Sequence, residues 1–288
     1  MDFQRLRREK RLEYAHYFEE ADDLTSTFQR ARRNLADPIW LSEKDEGQKL
    51  LAASAGARYA VDFLTLSYSA GCDLAKLRAL YPSIVEAWRT HERFHHAYDQ
   101  CPEGASSQAA TYALLGDAFH IVNRMVCLGI LLGWGELLPS VARIIEYKNP
   151  RMDGMLEHML SHYVPDRDTT ITGCTRHRPY FGTLKIFSSP VNARPAMMAE
   201  YLEDWYRASS REPYYESHTR GPVFKGYWSW EAAAITFLLD IDDSGYRNAE
   251  FYPADLVDFA RHAKCEGITR NHQQPGDNNQ VLHMPGGC

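Results

Sequence analysis

The residues with chemically suggestive spacing stand at His91-Glu92-Arg93-Phe94-His95. They fit H-E-x-x-H, in which two histidines at i and i+4 share one helix face and can hold zinc, with the glutamate as general base. A zinc hydrolase built on His91, Glu92 and His95 is therefore one reading. Such an enzyme needs a third ligand. Asp117 and His120 follow His95 by 22 and 25 residues, and no His-x-x-Gly-x-x-His continues the motif. The same helical stripe carries Ile84, Trp88 and Tyr98. Two histidines on an aromatic stripe are more simply hydrogen-bonded packing residues, and this reading is preferred. No metal and no cofactor is expected.

Other chemistry is weakly represented. No glycine-rich nucleotide loop and no Gly-x-Ser-x-Gly elbow occurs. Cys174, Arg176, His177 and Arg178 crowd into residues 173–179, but without a spacing that defines a site, so they read as exposed loop charges, as does Ser217–Gly221. The stronger signal is electrostatic. Asp240, Asp242, Asp243, Glu250, Asp255 and Asp258 gather in residues 237–258 against the single cation Arg247, a local charge of -5 in a chain of net charge -6. Three readings compete there: a solvated connection with helix-capping aspartates, a docking surface for a basic partner, or a hard-oxygen metal site. The calcium-loop pattern is absent. Just upstream, Tyr227, Trp228 and Trp230 precede an alanine-rich run, and Glu231 stands where a carboxylate suits a helix start. Tyr214 and Tyr215 adjoin in a loop-like segment, a residue type that suits interfaces and half-buried loops alike.

The elements that must position these residues are helical throughout, and the expected fold class is all-α, an irregular helical bundle. Residues 9–35 carry an apolar stripe of Leu12, Phe18, Leu24, Phe28 and Leu35, closed by Pro38. A second helix is predicted over 48–70, with Gly71 as its C-cap and Asp73 capping a short element. Tyr81-Pro82 predicts a fresh start and a helix over 83–98. Residues 111–132 are apolar on nearly every side and read as a central buried helix. Helices follow over 134–148, with Pro139 early, and 152–164. Residues 180–189 are ambiguous between strand and helix. Helices are predicted over 193–209 and 228–240, and from Pro253 onward. Residues 165–179 are polar and turn-rich. The expected division is an N-terminal helical domain over 1–165, a C-terminal helical domain over 166–265 and a disordered tail over 266–288.

Bulk properties narrow the function classes. With 288 residues and 44% hydrophobic content, a sizeable core is available. A balance of 32 basic against 38 acidic residues argues against a general nucleic-acid binder and leaves basic protein partners open. No apolar run approaches the ~20 residues of a membrane span. The opening is charged, without a signal-peptide segment. Six cysteines without a Cys-x-x-Cys pair suggest reduced thiols in the cytoplasm, with Cys72 and Cys127 in the core.

Residues 226–261, GYWSWEAAAITFLLDIDDSGYRNAEFYPADLVDFAR, resemble the C-terminal domain of the PoNi-type immunity proteins, the antidotes of polymorphic nuclease toxins delivered between competing bacteria. Residues 64–82, LTLSYSAGCDLAKLRALYP, look like the N-terminal domain of that family. Residues 178–187 and 201–218 resemble the lead-in to its C-terminal domain, so the likeness spans roughly residues 10 to 262. The resemblance implies a two-domain, all-helical, non-enzymatic protein of the cytoplasm. It would bind one cognate basic nuclease toxin, a DNase of restriction-endonuclease-like type, and block its active or DNA-binding cleft. The resemblance assigns no role to Glu92 and implies no direct contact with nucleic acid or membrane; self-association is left open. The residues expected to bind the partner are Asp240, Asp242, Asp243 and Asp255, with Tyr214, Tyr215 and Trp228 as aromatic anchors. Glu231, Trp230 and Tyr227 are expected to pack and cap. A helical adaptor without a toxin partner is the remaining rival.

Overall fold

In the computed structural model, which describes residues 3–149, 152–221 and 223–265, every regular element is a helix. The described chain falls into two units. The first comprises the described residues of Met1–Thr111 together with Arg220–Gly226, and the second those of Tyr112–Thr219 and of the chain from Tyr227 onward. The polar loop at 165–179 lies within the second unit. The tail expected over 266–288 lies outside the described residues.

The first unit holds α1 (Phe3–Leu6), α2 (Tyr14–Ala36), α3 (Pro38–Glu43), α4 (Glu46–Ser69) and α5 (Leu74–Asp99). Helix α4 packs against both α2 and α5. Two flanking helices explain why its buried residues, among them Ala57, Val61, Phe63 and Leu66, do not confine themselves to one face. Gly56 permits close approach: a Cβ there would lie 2.9 Å from that of Ala31 on α2. Helix α4 starts at a capping box of Asp45 and Gln48. It ends before Gly71, as the sequence suggests. The φ of +93° at Gly71 and a hypothetical Cβ only 1.9 Å from the Leu6 carbonyl oxygen both demand glycine. Residues 220–226 join this unit through His16 Nε2, 2.9 Å from the Phe224 carbonyl oxygen, and the Lys225–Glu20 ion pair.

Two helix expectations for this unit are corrected. Phe18 is 49% exposed. The buried face of α2 is instead Tyr17, Ala21, Leu24, Phe28 and Ala31, a cleaner 3.6-residue period than the stripe drawn through Phe18. Pro82 starts nothing: α5 runs through it without a break, from the Asp73 cap to Asp99. Leu77, Tyr81, Ile84, Val85 and Trp88 form one buried stripe across the proline. That packing outweighs the one backbone hydrogen bond the proline cannot donate.

The second unit holds α6 (Gly116–Leu131), α7 (Leu138–Glu146), α8 (Gly154–Leu160), α9 (Phe181–Ser188), α10 (Arg194–Ala208), α11 (Trp230–Leu238) and α12 (Ala254–Cys265). Helix α6 contacts α7, α8, α11 and α12, so it is central. The ambiguous stretch after residue 179 is helix α9. Cys127 is a buried free thiol, whereas Cys72, expected as another, is disulfide-bonded. Among the described residues no helix is long and apolar enough to cross a membrane.

Candidate functional site

The His-Glu-x-x-His segment lies on α5, its three motif residues buried. The His91 and His95 rings stack at 6.2 Å, and His95 Nδ1 is 2.7 Å from the Thr111 hydroxyl. Burial, and next the neighbouring His95, lower the His91 pKa to about 4. Among the described residues no three His, Cys, Asp or Glu side chains converge as a metal site. The hydrogen-bonded stack is the geometry of packing residues.

In the second unit, the residues around the WSWE run build a buried polar centre. Glu231, in the first turn of α11, is only 1% exposed. Its Oε1 accepts hydrogen bonds from Tyr201 Oη (2.8 Å), Trp205 Nε1 (2.7 Å) and Ser229 Oγ (2.7 Å), and its Oε2 accepts from Asn123 Nδ2 (3.2 Å). One carboxylate thereby ties α6, α10 and α11 together. A packing role for Glu231 fits this geometry. The expected end-capping does not enter, because its oxygens take side-chain donors rather than backbone N–H groups.

A second chain of polar contacts runs alongside. Arg176 donates to both oxygens of Glu212 (3.2 and 2.9 Å), whose Oε2 is 2.7 Å from His120 Nε2. Burial works against the Glu212 carboxylate, but hydrogen bonds from His120 and Arg176 outweigh it and hold its pKa below the ordinary value. The other His120 nitrogen lies 3.1 Å from Tyr180 Oη, which is 3.3 Å from Tyr214 Oη. Arg176 is thus no idle loop charge. Its partner stands 36 residues onward, with no local pattern to announce the pair.

The acidic stretch sorts into two kinds of carboxylate. Asp243 is 6% exposed and accepts from Arg261 (2.9 Å), Tyr252 Oη (3.1 Å) and Arg247 (3.2 Å). Arg247 also pairs with Asp258, and Arg261 donates to the Ile241 carbonyl. Asp243 therefore fastens the turn after α11 onto α12, a placement at odds with an exposed contact. Asp240 and Asp242 flank that turn and are exposed. A hydrogen bond from the Ser244 backbone N–H lowers the Asp242 pKa and keeps it ionised. Asp240 takes a φ of 50°, which turns the chain out of α11. Asp255 is half-buried in the first turn of α12.

The expected aromatic anchors divide too. Trp228 is 8% exposed, 6.2 Å from the Trp230 ring. Tyr214 stacks on Trp205 at 5.6 Å and holds its hydroxyl 2.9 Å from Ser209 Oγ; burial pushes its pKa up. Tyr215 is half-buried against Tyr206 at 4.8 Å. The structure thus gathers Tyr214 with the buried network, and Asp240, Asp242 and Asp243 on one turn. Arg261 and Tyr252, which hold Asp243, had no signal in sequence spacing.

Residues 151–256 match the family model for PoNe immunity proteins (PoNi), C-terminal. The match spans little more than a third of the chain and marks that C-terminal part as similar to those proteins. Among solved structures, the crystal structure of protein PA2201 from Pseudomonas aeruginosa is similar, with 20% sequence identity and a TM-score of 0.71. The similarity covers 90% of this chain and 92% of that one, and it establishes a shared fold. No curated protein matches the chain.

Proposed function

Taking the chain as a PoNi-type immunity protein, we propose that it neutralises a cognate, basic DNase in the cytoplasm of the producing cell by covering its active or DNA-binding cleft. The reading rests on one structural observation: Asp240 and Asp242 project as exposed carboxylates from a turn that Asp243 clamps to α12 through Arg261 and braces through Arg247 and Tyr252. A nuclease must attract phosphate and so concentrates cations at its cleft. Carboxylates held on a rigid support speed the approach of such a surface and select for it. No bond is made or broken in this mechanism, and nothing in it calls for a metal or a cofactor. Asp243 serves the turn, and Trp228 and Tyr214 serve the interior behind it.

The test pairs the nuclease encoded beside this protein with an Asp240→Lys/Asp242→Lys double variant. Both carboxylates are exposed, so the variant should stay folded, losing only the Ser244 N–H bond to Asp242 and the ease with which aspartate takes the left-handed backbone at 240, about 1–2 kcal/mol together. Association should slow by about tenfold or more, with a reduced dependence on salt, and protection of cells should fall. Native association rates in the double variant would place the interface elsewhere, and failure of the native protein to bind the nuclease would remove the reading.

A further inference from the structure

In the first unit, the end of the hairpin formed by α2, α3 and α4 leaves apolar surface uncovered. No residue from 32 to 52 is buried, although Leu35, Ile39, Trp40, Leu41, Leu50 and Leu51 fall within that span. Helix α3, Pro-Ile-Trp-Leu-Ser-Glu, buries none of its residues. Ile39 on α3 is 71% exposed and Leu51 on α4 is 72% exposed. Between α2 and α4 opens a groove of about 190 Å³. Its lining includes Ala31, Ala52 and Ala55, whose side chains are too short to fill it, together with Leu51 and Arg30. Residues 30–52 carry five cations and four carboxylates, close to balance in a chain of net charge -6.

We infer that this end of the first unit is a self-association surface: a second copy of the chain seats across a two-fold axis, with Ile39 of each copy in the groove of the other. A closed pair needs a surface complementary to itself, and this one carries both a projecting apolar side chain and a groove with apolar walls to take it. Ile39 and Glu43 stand i, i+4 on one face of α3. An isoleucine in the groove therefore brings Glu43 to within about one helical turn of it, toward Arg30 in the lining. Within its own chain Arg30 donates to the neutral Thr27 hydroxyl at 3.2 Å, which leaves its charge for a carboxylate. Two Arg30–Glu43 pairs, one from each copy, would thus border an apolar centre. Charge also decides against the toxin as occupant. A basic surface would meet Arg30, Arg32 and Arg33, all exposed on α2. An identical chain, by contrast, presents both signs in reverse order, and the near balance of this stretch weakens the repulsion that two net-negative molecules otherwise exert. Large apolar side chains gathered in the open mark such contact surfaces. A standard interface takes about 20–30 residues from each partner, the extent of this hairpin end and its groove together.

The inference stands apart from the toxin-binding reading, which uses the second unit, and it is tested on the full chain without any toxin. Sedimentation velocity over about 1–100 µM should show a monomer–dimer equilibrium, with a melting temperature that rises with concentration. Ile39→Lys and Leu51→Lys change exposed positions, so the dilute variants should melt close to native, and each should weaken the dimer by about tenfold or more. Arg30→Glu should weaken it by about fivefold or more, and Arg30→Glu/Glu43→Arg should recover most of that loss, because the exchange re-forms the pair across the axis. A native protein that remains monomeric at about 100 µM overturns the inference. In that case, loss of toxin binding in Ile39→Lys would give the surface to the toxin, and dimers that appear only when residues 266–288 are deleted would give it to that segment. A dimer that survives both lysine variants also overturns it. Should a lysine variant fail to fold, the Arg30→Glu loss and its recovery decide the matter, and a dimer indifferent to both overturns the inference.

Discussion

Removing the Glu231 side chain should unfold the second unit at a markedly lower temperature, and its cost can be worked from the network. Glu231→Ala deletes the acceptor for Tyr201 Oη, Trp205 Nε1, Ser229 Oγ and Asn123 Nδ2, all in an interior where Glu231 is 1% exposed. The Ser229 and Tyr201 hydroxyls can rotate. The indole N–H of Trp205 cannot, and the Asn123 amide is held by its place in α6. Two stranded donors at about 1–3 kcal/mol each, with a cavity where the carboxylate stood, put the loss at about 4–6 kcal/mol. For a chain of this size that lowers the melting temperature by roughly 8–20 °C. Glu231→Gln is the informative control. It keeps the shape and one carbonyl oxygen, but three donors then compete for two lone pairs, and its NH2 faces the Asn123 amide. The expected loss is about 1–3 kcal/mol, between native and alanine. Thermal unfolding followed by circular dichroism and by tryptophan fluorescence reads both, since Trp205 reports on the site itself. An alanine variant melting within about 2 °C of native would refute the reasoning, because about 4 kcal/mol cannot hide in so small a shift.

Two further outcomes follow from the same physics. Asp243→Ala removes the shared acceptor of Tyr252 Oη and two part-exposed arginines, so it should cost about 2–4 kcal/mol by chemical denaturation, whereas Asp242→Lys, which loses only the Ser244 N–H bond, should cost about 1 kcal/mol or less and act mainly on association with the toxin; the reverse pattern would make Asp243 the contact residue. Because the His91 pKa is about 4 in the folded chain against an ordinary 6.5, the unfolded chain takes up the proton first as pH falls. The stability that His91 contributes is complete above about pH 6.5 and is lost on acidification toward pH 4, up to about 3 kcal/mol. A His91→Phe variant should flatten that segment of the stability–pH curve, and an unaltered curve would refute the assignment.

The helices were legible in the sequence because their causes are local. The 3.6-residue period of Leu24, Phe28 and Ala31, the Asp73 cap and the left-handed glycine at 71 all act within a few residues. So was the excess of negative charge after α11, a property of composition alone. The resemblance to the PoNi-type C-terminal domain likewise lay in contiguous residues, 226–261, that a model for the same family covers up to residue 256. Which charges face solvent was another matter. Asp242 and Asp243 are adjacent and chemically identical, yet one is exposed and the other lies beneath Arg247, Arg261 and Tyr252. Arg261 stands 18 residues from Asp243, and Arg176 stands 36 from Glu212, separations at which no periodicity carries information. The same holds for Pro82, locally a break, which the buried stripe of α5 carries through. Short-range preference is written residue by residue; the choice between a buried and a solvated carboxylate depends on which distant donor the folded backbone delivers, and only the tertiary structure decided it.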